Sequence, residues 1–295
     1  MDGEVTLPEL TEVVARVAAL LGPREGTVVQ LEGGITNRNF RVNFGGHDYV
    51  VRLAGKRTEL LGIDREAECT ANKAAAELGF APAVATLLHD PPCLVTVFVP
   101  GRAMKPEELR TPEAIAEVAS DLRALHDSGT SLTKRFDPFR LVDEYATTAR
   151  EHGATIPDGY EAARPAAQAV EQAVRPGARD GLVACHNDLL TANFLRGSSN
   201  MQLIDWEYAG MGDRWFDLGN FAANAELDEG GSESLVAAYF RRLPDDHERA
   251  RLHVYRFVSD LREAMWGTLQ SVLSNVSFDF LGYARAHFER AERTG

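Results

Sequence analysis

Long apolar runs are missing from this 295-residue chain: nothing in it approaches the ~18 consecutive apolar residues of a membrane-spanning helix. Cysteine is scarce. Cys69, Cys93 and Cys185 are odd in number, scattered, and form no C-x2-C pair. That pattern argues against a disulfide scaffold or a zinc site and suits a reduced cytoplasm. Positive charge is also short, with 31 Lys and Arg against 44 Asp and Glu and a net charge of −13. Nucleic acids and anionic membranes would be repelled by that surplus, whereas a cationic small molecule would not. The N-terminus is acidic and lacks a charged-then-apolar leader, so no secretory signal is expected. The rest is ordinary: 44% hydrophobic and 25% charged residues, in a length sufficient for two lobes or one large domain.

The informative stretch is Leu182 to Asp217. A short apolar run, Leu182 to Cys185, delivers His186-Asn187-Asp188, and Asn193 follows five residues after Asp188. A second run, Met201 to Ile204, delivers Asp205, seventeen residues after Asp188. Two strands that end in carboxylates, with an amide between them, suit phosphoryl transfer. One carboxylate can accept the proton of an attacking hydroxyl. The amide oxygen and the other carboxylate can hold Mg²⁺ against the phosphates of ATP. Asp188 is therefore the candidate catalytic residue, and Asn193 and Asp205 are the candidate metal ligands.

The run HND-x4-N followed by IDWE resembles the aminoglycoside phosphotransferase and choline kinase superfamily, whose fold is protein kinase-like. HNDLL-x2-NF, IDWEY-x-G-x-GD and FDLGN resemble its choline/ethanolamine kinase branch in particular. The resemblance implies an α+β fold of two lobes. Residues 1–100 would form a nucleotide-binding lobe with an antiparallel sheet and a helix. Residues 101–295 would form a larger, mainly helical catalytic and substrate-binding lobe. The resemblance also implies that His186 orients the loop from beneath. A buried Asp217 could accept backbone N–H bonds from that loop.

Upstream, helical spacing of Leu10, Val13, Val14, Val17 and Leu21 marks a packing helix that Gly22-Pro23 stops. Strands are expected at Val28–Glu32, Phe40–Phe44, Tyr49–Leu53, Ala83–Leu88 and Leu94–Val99. Between the first two lies Gly33-Gly34-Ile35-Thr36-Asn37, which resembles the GG-x-[ST]-N lid of choline kinases. Gly34, Thr36 and Asn37 are then the phosphate contacts. Arg52 stands where a kinase carries its phosphate-binding Lys. Either Glu66 or Glu68, on a helix that Asp64 is expected to cap, would pair with it, and the family spacing favours Glu68. Val97 and Val99, at the lobe junction, are candidates for bonding the adenine edge through their backbone.

For the substrate, the candidates are Glu207, Tyr208, Trp215, Asn224, Glu263 and Trp266, with Trp206 and Tyr255 as further rings. A quaternary ammonium group is held by aromatic faces through cation–π attraction. Trp266 resembles the second tryptophan of the family's W-x2-W helix, but the first position is Glu263, and Asn224 stands where eukaryotic members have Glu. One ring fewer and one carboxylate more suit an amine with N–H donors, such as ethanolamine. The expectation is an ATP- and Mg²⁺-dependent kinase for a cationic amino alcohol. Aminoglycoside, thiamine and homoserine kinases of the same fold are the alternatives. A non-catalytic pseudokinase would be expected to lack one of Asp188, Asn193 or Asp205. A protein kinase is disfavoured because Asn187 replaces the loop Arg and no DFG or APE segment follows. Ser232, Pro244 and Asp245 mark helix boundaries in the C-terminal third.

Overall fold

The structure is a computed structural model that describes residues 8–31, 37–55, 57–174, 181–197 and 200–294. Helix α1 (Pro8–Leu21) precedes strands β1 (Arg24–Leu31), β2 (Arg38–Phe44) and β3 (His47–Leu53). Helix α2 (Arg65–Glu77) leads to β4 (Val84–His89) and β5 (Pro92–Val97). The five strands form one antiparallel sheet in the order β1-β2-β3-β5-β4. Alternation puts Phe40, Val42, Phe44 and Val51 on one face, and α1 covers it with Leu10, Val13 and Val17. The β2–β3 hairpin turns on Gly45-Gly46, both at positive φ. A Cβ on Gly45 would lie 2.9 Å from the Leu21 carbonyl oxygen, so only glycine fits there.

The register pairs Arg52 with Leu94 across β3 and β5 and so holds the Arg52 side chain on a central strand. Helix α2 begins at Asp64, whose carboxylate accepts from the backbone N–H groups of Glu66 (2.9 Å) and Ala67 (3.1 Å). Its small residues Ala67, Ala71 and Ala75 join the larger core rather than the core beneath α1.

After β6 (Arg102–Ala103) come α3 (Pro106–Leu109), α4 (Pro112–His126), α5 (Pro138–Glu151) and α6 (Asp158–Val174). The central stretch follows as β7 (Val183–Cys185), β8 (Phe194–Arg196), β9 (Met201–Leu203) and β10 (Gly210–Gly212). These short strands pair as β6-β8-β9 and β7-β10. The chain ends in α7 (Arg214–Asn224), α8 (Glu229–Phe240), α9 (Asp246–Leu273) and α10 (Phe280–Thr294). Asp245 caps α9 as anticipated, but Ser232 lies inside α8, which Asp228 caps through a 2.7 Å bond from the Gly231 N–H.

Helix α9 is the hub of the larger part. It spans 28 residues, and every residue from Phe257 to Gln270 is buried. A helix buried all round must meet neighbours on every side. At Gly219 of α7 an added Cβ would lie 2.6 Å from the backbone of Tyr255, so the glycine lets α7 approach α9 closely. The architecture is α+β, an antiparallel sheet with helices followed by a larger helical part, as the sequence suggested.

Candidate active site

The loop His186-Asn187-Asp188 leaves β7 and is held by one face of α7. Asp217, fully buried, accepts the N–H of His186 at 2.9 Å and the N–H of Asn187 at 2.7 Å. One helical turn on, the Asn220 side-chain oxygen accepts the N–H of Leu189, and its amide nitrogen donates to Ser259 Oγ at 2.9 Å. His126 adds a third partner, with Nε2 3.0 Å from Asp217 and Nδ1 2.7 Å from the Tyr239 hydroxyl. His126, Cys185 and Asp217 bring potential ligand atoms within 4.8 Å of one another. Both Asp217 oxygens are already engaged there, so the cluster reads as a loop anchor. Asn187 adopts φ 67°, a conformation asparagine tolerates, and donates to the Tyr208 carbonyl at 3.1 Å.

His186 lies beneath the loop. Its Nδ1 accepts from the Asp188 N–H at 3.2 Å, and Nε2 is 3.1 Å from the Ile204 carbonyl oxygen. A carbonyl only accepts, so Nε2 carries the proton. Burial lowers the imidazole pKa and keeps the ring neutral. The ring packs edge-on against Trp206, 4.5 Å between centroids, and Trp206 donates to the Leu203 carbonyl at 3.0 Å. Trp206 is thus a core residue.

Asp188 and Asn193 meet directly. The Asn193 amide nitrogen donates to the Asp188 backbone oxygen (2.8 Å) and carboxylate (3.2 Å). With its nitrogen so engaged, the amide oxygen is the atom left for a cation. The Ile204 N–H donates to the Asn193 carbonyl at 2.9 Å and joins this turn to the one bearing Asp205. Asp205 is at φ 66° and is ion-paired with Arg52.

Arg52 also pairs with Glu68, 2.6 Å apart, and Glu68 is fully buried. Glu66 is exposed and faces His89 instead. Glu68 is therefore the partner, and Arg65 binds its second oxygen at 2.6 Å. Burial opposes the Arg52 charge, but Asp205, Glu68 and Glu207 outweigh it and raise its pKa.

Four acids crowd this region. Burial pushes the Asp188 carboxyl well up, Glu263, Asp205 and Glu207 add to the shift, and Arg262 opposes it. Burial and then Asp205 push Glu207 up to about 7 against the pull of Arg52 and Arg65. A hard divalent cation held by oxygens of Asn193 and Asp205 would relieve this surplus, so the donor set suits Mg²⁺.

Other expected residues fall less simply. Gly34 and Thr36 lie outside the described residues. Asn37 donates to Glu207 at 2.8 Å, and Glu207 also faces Arg65 at 3.5 Å. Glu207 thus belongs to the network on the Arg52 side and is not an open substrate carboxylate. The Val97 N–H is bonded to the Ala83 carbonyl (2.8 Å), so of its backbone groups only the carbonyl is open to the adenine edge, with Val99 the second candidate. Trp215 does not reach the group. Its ring packs on Phe240, 5.2 Å away, beneath the Arg251 guanidinium. Tyr255 bonds Asp213 at 2.8 Å and serves the α7 cap. Asn224 ends α7 one turn past Asn220, partly buried, with its amide nitrogen unpartnered.

Near Asp188, Trp266 donates to the Tyr208 hydroxyl at 2.9 Å. Glu263 is engaged by Arg262 and by the Tyr283 hydroxyl at 2.8 Å. Its carboxylate is therefore already neutralised within the protein. Arg262, 1% exposed, lies 3.1 Å from Asp188 and 4.3 Å over the Tyr208 ring. Sequence reasoning missed it, yet a signal was present. Tyr255, Ser259, Arg262 and Trp266 recur at helical spacing, so the arginine sits in phase with a buried stripe.

The phosphotransferase enzyme family matches residues 27–253. Mouse ethanolamine kinase 2 is 28% identical over 96% of this chain and 80% of its own length. The crystal structure of a choline/ethanolamine kinase family protein from Mesorhizobium loti is 32% identical, covers 97% of this chain and 94% of that one, and superposes with a TM-score of 0.80. The choline kinase LicA of Streptococcus pneumoniae, 23% identical, covers 97% and 98% of the two chains at a TM-score of 0.78 and so shares the fold. With its kinase-like architecture and the His186–Asp217 core in place, this chain belongs to the phosphotransferase enzyme family, in its choline/ethanolamine kinase branch.

Proposed function

We propose that the protein is an ATP- and Mg²⁺-dependent kinase that phosphorylates the hydroxyl of a small amino alcohol. Choline- or ethanolamine-like alcohols are the first candidates, since the similar proteins include an ethanolamine kinase and a choline kinase. The observation that carries the reading is the convergence of Asp188, Asn193 and Asp205 with the Arg52–Glu68 pair. In this reading Asp188 accepts the proton of the substrate hydroxyl. The hydroxyl oxygen bonds to the γ-phosphorus as the bond from that phosphorus to the departing ADP oxygen breaks. Bound Mg²⁺ would neutralise phosphate charge, with Asn193 and Asp205 holding it. Arg52, steadied by Glu68, would turn to the phosphates, and the Val99 backbone would meet adenine. Residues 1–100 serve the nucleotide, and residues 101–295 serve catalysis and the alcohol.

Three buried free thiols, Cys69, Cys93 and Cys185, suit a reducing cytoplasm. No helix among the described residues is long and apolar enough to cross a membrane.

The test is ADP release with Mg-ATP across choline, its partly methylated analogues and ethanolamine. Asp188→Asn is expected to keep ATP binding, read by calorimetry, and to lose at least ~100-fold in turnover, the scale of a lost positioned base. Near-normal turnover would remove Asp188 from the mechanism.

A further inference from the structure

Between Asp188 and Asn193 the catalytic loop reads Leu189-Leu190-Thr191-Ala192, with no charged side chain. The loop therefore brings no cation of its own to the place where a phosphoryl group would arrive. The arginines of the N-terminal part are committed: Glu68 holds both Arg52 and Arg65, Asp205 also holds Arg52, and Glu207 faces Arg65. At Asp188 itself the cation is Arg262, delivered by α9.

Arg262 is committed only in part. Its Nη1 serves both Asp188 Oδ1, at 3.1 Å, and Glu263. Glu263 is further held by the Tyr283 hydroxyl at 2.8 Å, and the second Asp188 oxygen by the Asn193 amide at 3.2 Å. The two carboxylates thus draw on a single nitrogen. Nε and Nη2 are buried and have no hydrogen-bond partner. The plane of the group is fixed, because its carbon lies 4.3 Å over the Tyr208 ring centroid and the residue is 1% exposed. Buried guanidinium donors without acceptors are costly, and a group left so beside a catalytic carboxylate marks where an acceptor comes and goes. Burial opposes the charge, but Glu263 and then Asp188 outweigh it, so the cation persists without a ligand.

We propose that Arg262 is a catalytic residue of the transfer step, whose Nε and Nη2 receive the oxygens of the phosphoryl group as it leaves ADP for the alcohol. This deepens the kinase reading and rests on it. The hydroxyl oxygen forms its bond to the γ-phosphorus, and the hydroxyl proton passes to Asp188. The bond from that phosphorus to the departing ADP oxygen breaks with its electron pair staying on ADP. In an in-line transfer the phosphorus moves toward the attacking oxygen, which sits against Asp188. The equatorial oxygens therefore move toward Arg262 as the reaction proceeds. A contact that grows along the path lowers the barrier without tightening ATP binding. The charge count agrees. Asp188, Asp205, Glu207 and Glu263 crowd the site, so incoming phosphates meet four acids. Mg²⁺ and Arg52 would answer that charge at the nucleotide end, and Arg262 answers it at the alcohol end. Lys134 lies farther off, 6.0 Å from the Tyr208 ring centroid, and donates to the Gly62 carbonyl. The guanidinium fork also matches two phosphoryl oxygens in shape.

The experiment measures by calorimetry, with ethanolamine present, the binding of MgADP alone and of MgADP with aluminium fluoride, a stand-in for the phosphoryl group in transfer. Arg262→Met is expected to bind MgADP within about twofold of the wild type but the aluminium fluoride complex at least ~100-fold more weakly, the scale of one lost charge-stabilising donor. Its kcat should fall by a like factor with little change in the KM for ATP. A double-mutant cycle separates an effect carried only through Asp188. In an Asp188→Asn background, Arg262→Met should still weaken the aluminium fluoride complex by ~tenfold or more. If Arg262→Met does not fold, Arg262→Lys keeps the charge, loses the fork and should show the same pattern at ~tenfold or more. A parallel loss of both affinities, a loss that vanishes in the Asp188→Asn background, or a near-normal kcat in a folded variant overturns the proposal. So does a wild type that binds MgADP no more tightly with aluminium fluoride than without it. Turnover of ethanolamine or choline by the wild type in any of those cases leaves the kinase reading standing, whereas a wild type that does not bind Mg-ATP fails both readings.

Discussion

Asp217 shows what a single buried carboxylate can organise. It accepts two backbone N–H groups of the catalytic loop and faces His126, and an amide in its place would turn a donor toward a donor. Asp217→Asn is therefore expected to cost about 3 kcal/mol in urea unfolding and to lower kcat, since hydrogen bonds to charged groups contribute ~1.5–3 kcal/mol each. An unchanged unfolding midpoint would show that the loop is held by other means. Asp188, Asn193 and Asp205 were legible in the sequence because they fall within eighteen residues, at spacings the chemistry prescribes. Arg262 was not. Its partner Asp188 lies 74 residues away, and only a reading of helix phase that ignored its charge would have placed it inside. Glu263 was legible as a departure from the family, yet its neutralisation by the adjacent arginine follows from side-chain geometry alone.

At the scale of the element, helix α2 couples a cap to a functional side chain. Asp64 receives two N–H groups at the start of the helix and the Thr133 hydroxyl at 3.1 Å, and Glu68 follows on the next turn. Asp64→Ala should lower stability by about 1 kcal/mol, as loss of an N-cap does, and raise the KM for ATP because Glu68 loses its fixed position. Denaturant titration and steady-state kinetics read the two effects separately. An altered KM without a stability change would break the link between the cap and Glu68. Helix starts such as Asp64 and Asp245 could be read from local chemistry. The boundary at Ser232 could not, because glycines before it hid a helix that Asp228 caps. The fate of the rings was equally opaque. Trp215 and Trp266 look alike in the sequence, and only the packing of α7 against α8 takes Trp215 away from Asp188.

For the molecule as a whole, the acidic surplus makes pH a lever on stability. Asp121 on α4 is pushed up to about 7 by burial and then by Glu117. The unfolded chain would titrate near the ordinary value of ~3.9. Between those values the folded state holds a proton that the unfolded state has released, so stability falls as pH rises through that window. Asp121→Asn removes the loss. Its melting temperature should exceed that of the wild type by roughly 2–4 °C or more at pH 8, and by less at pH 5. An equal shift at both values would remove Asp121 as the cause. The same scale bears on Arg52, which bridges Glu68 in the N-terminal part and Asp205 in the central stretch. Because a tethered cation already sits on Asp205, loading a metal there, as proposed, would be an exchange of counter-ions. Free Mg²⁺ would have to evict a guanidinium that gains nothing by leaving. A magnesium-bound nucleotide brings phosphates that receive the displaced guanidinium, so metal and nucleotide would enter as one ligand, each weak without the other.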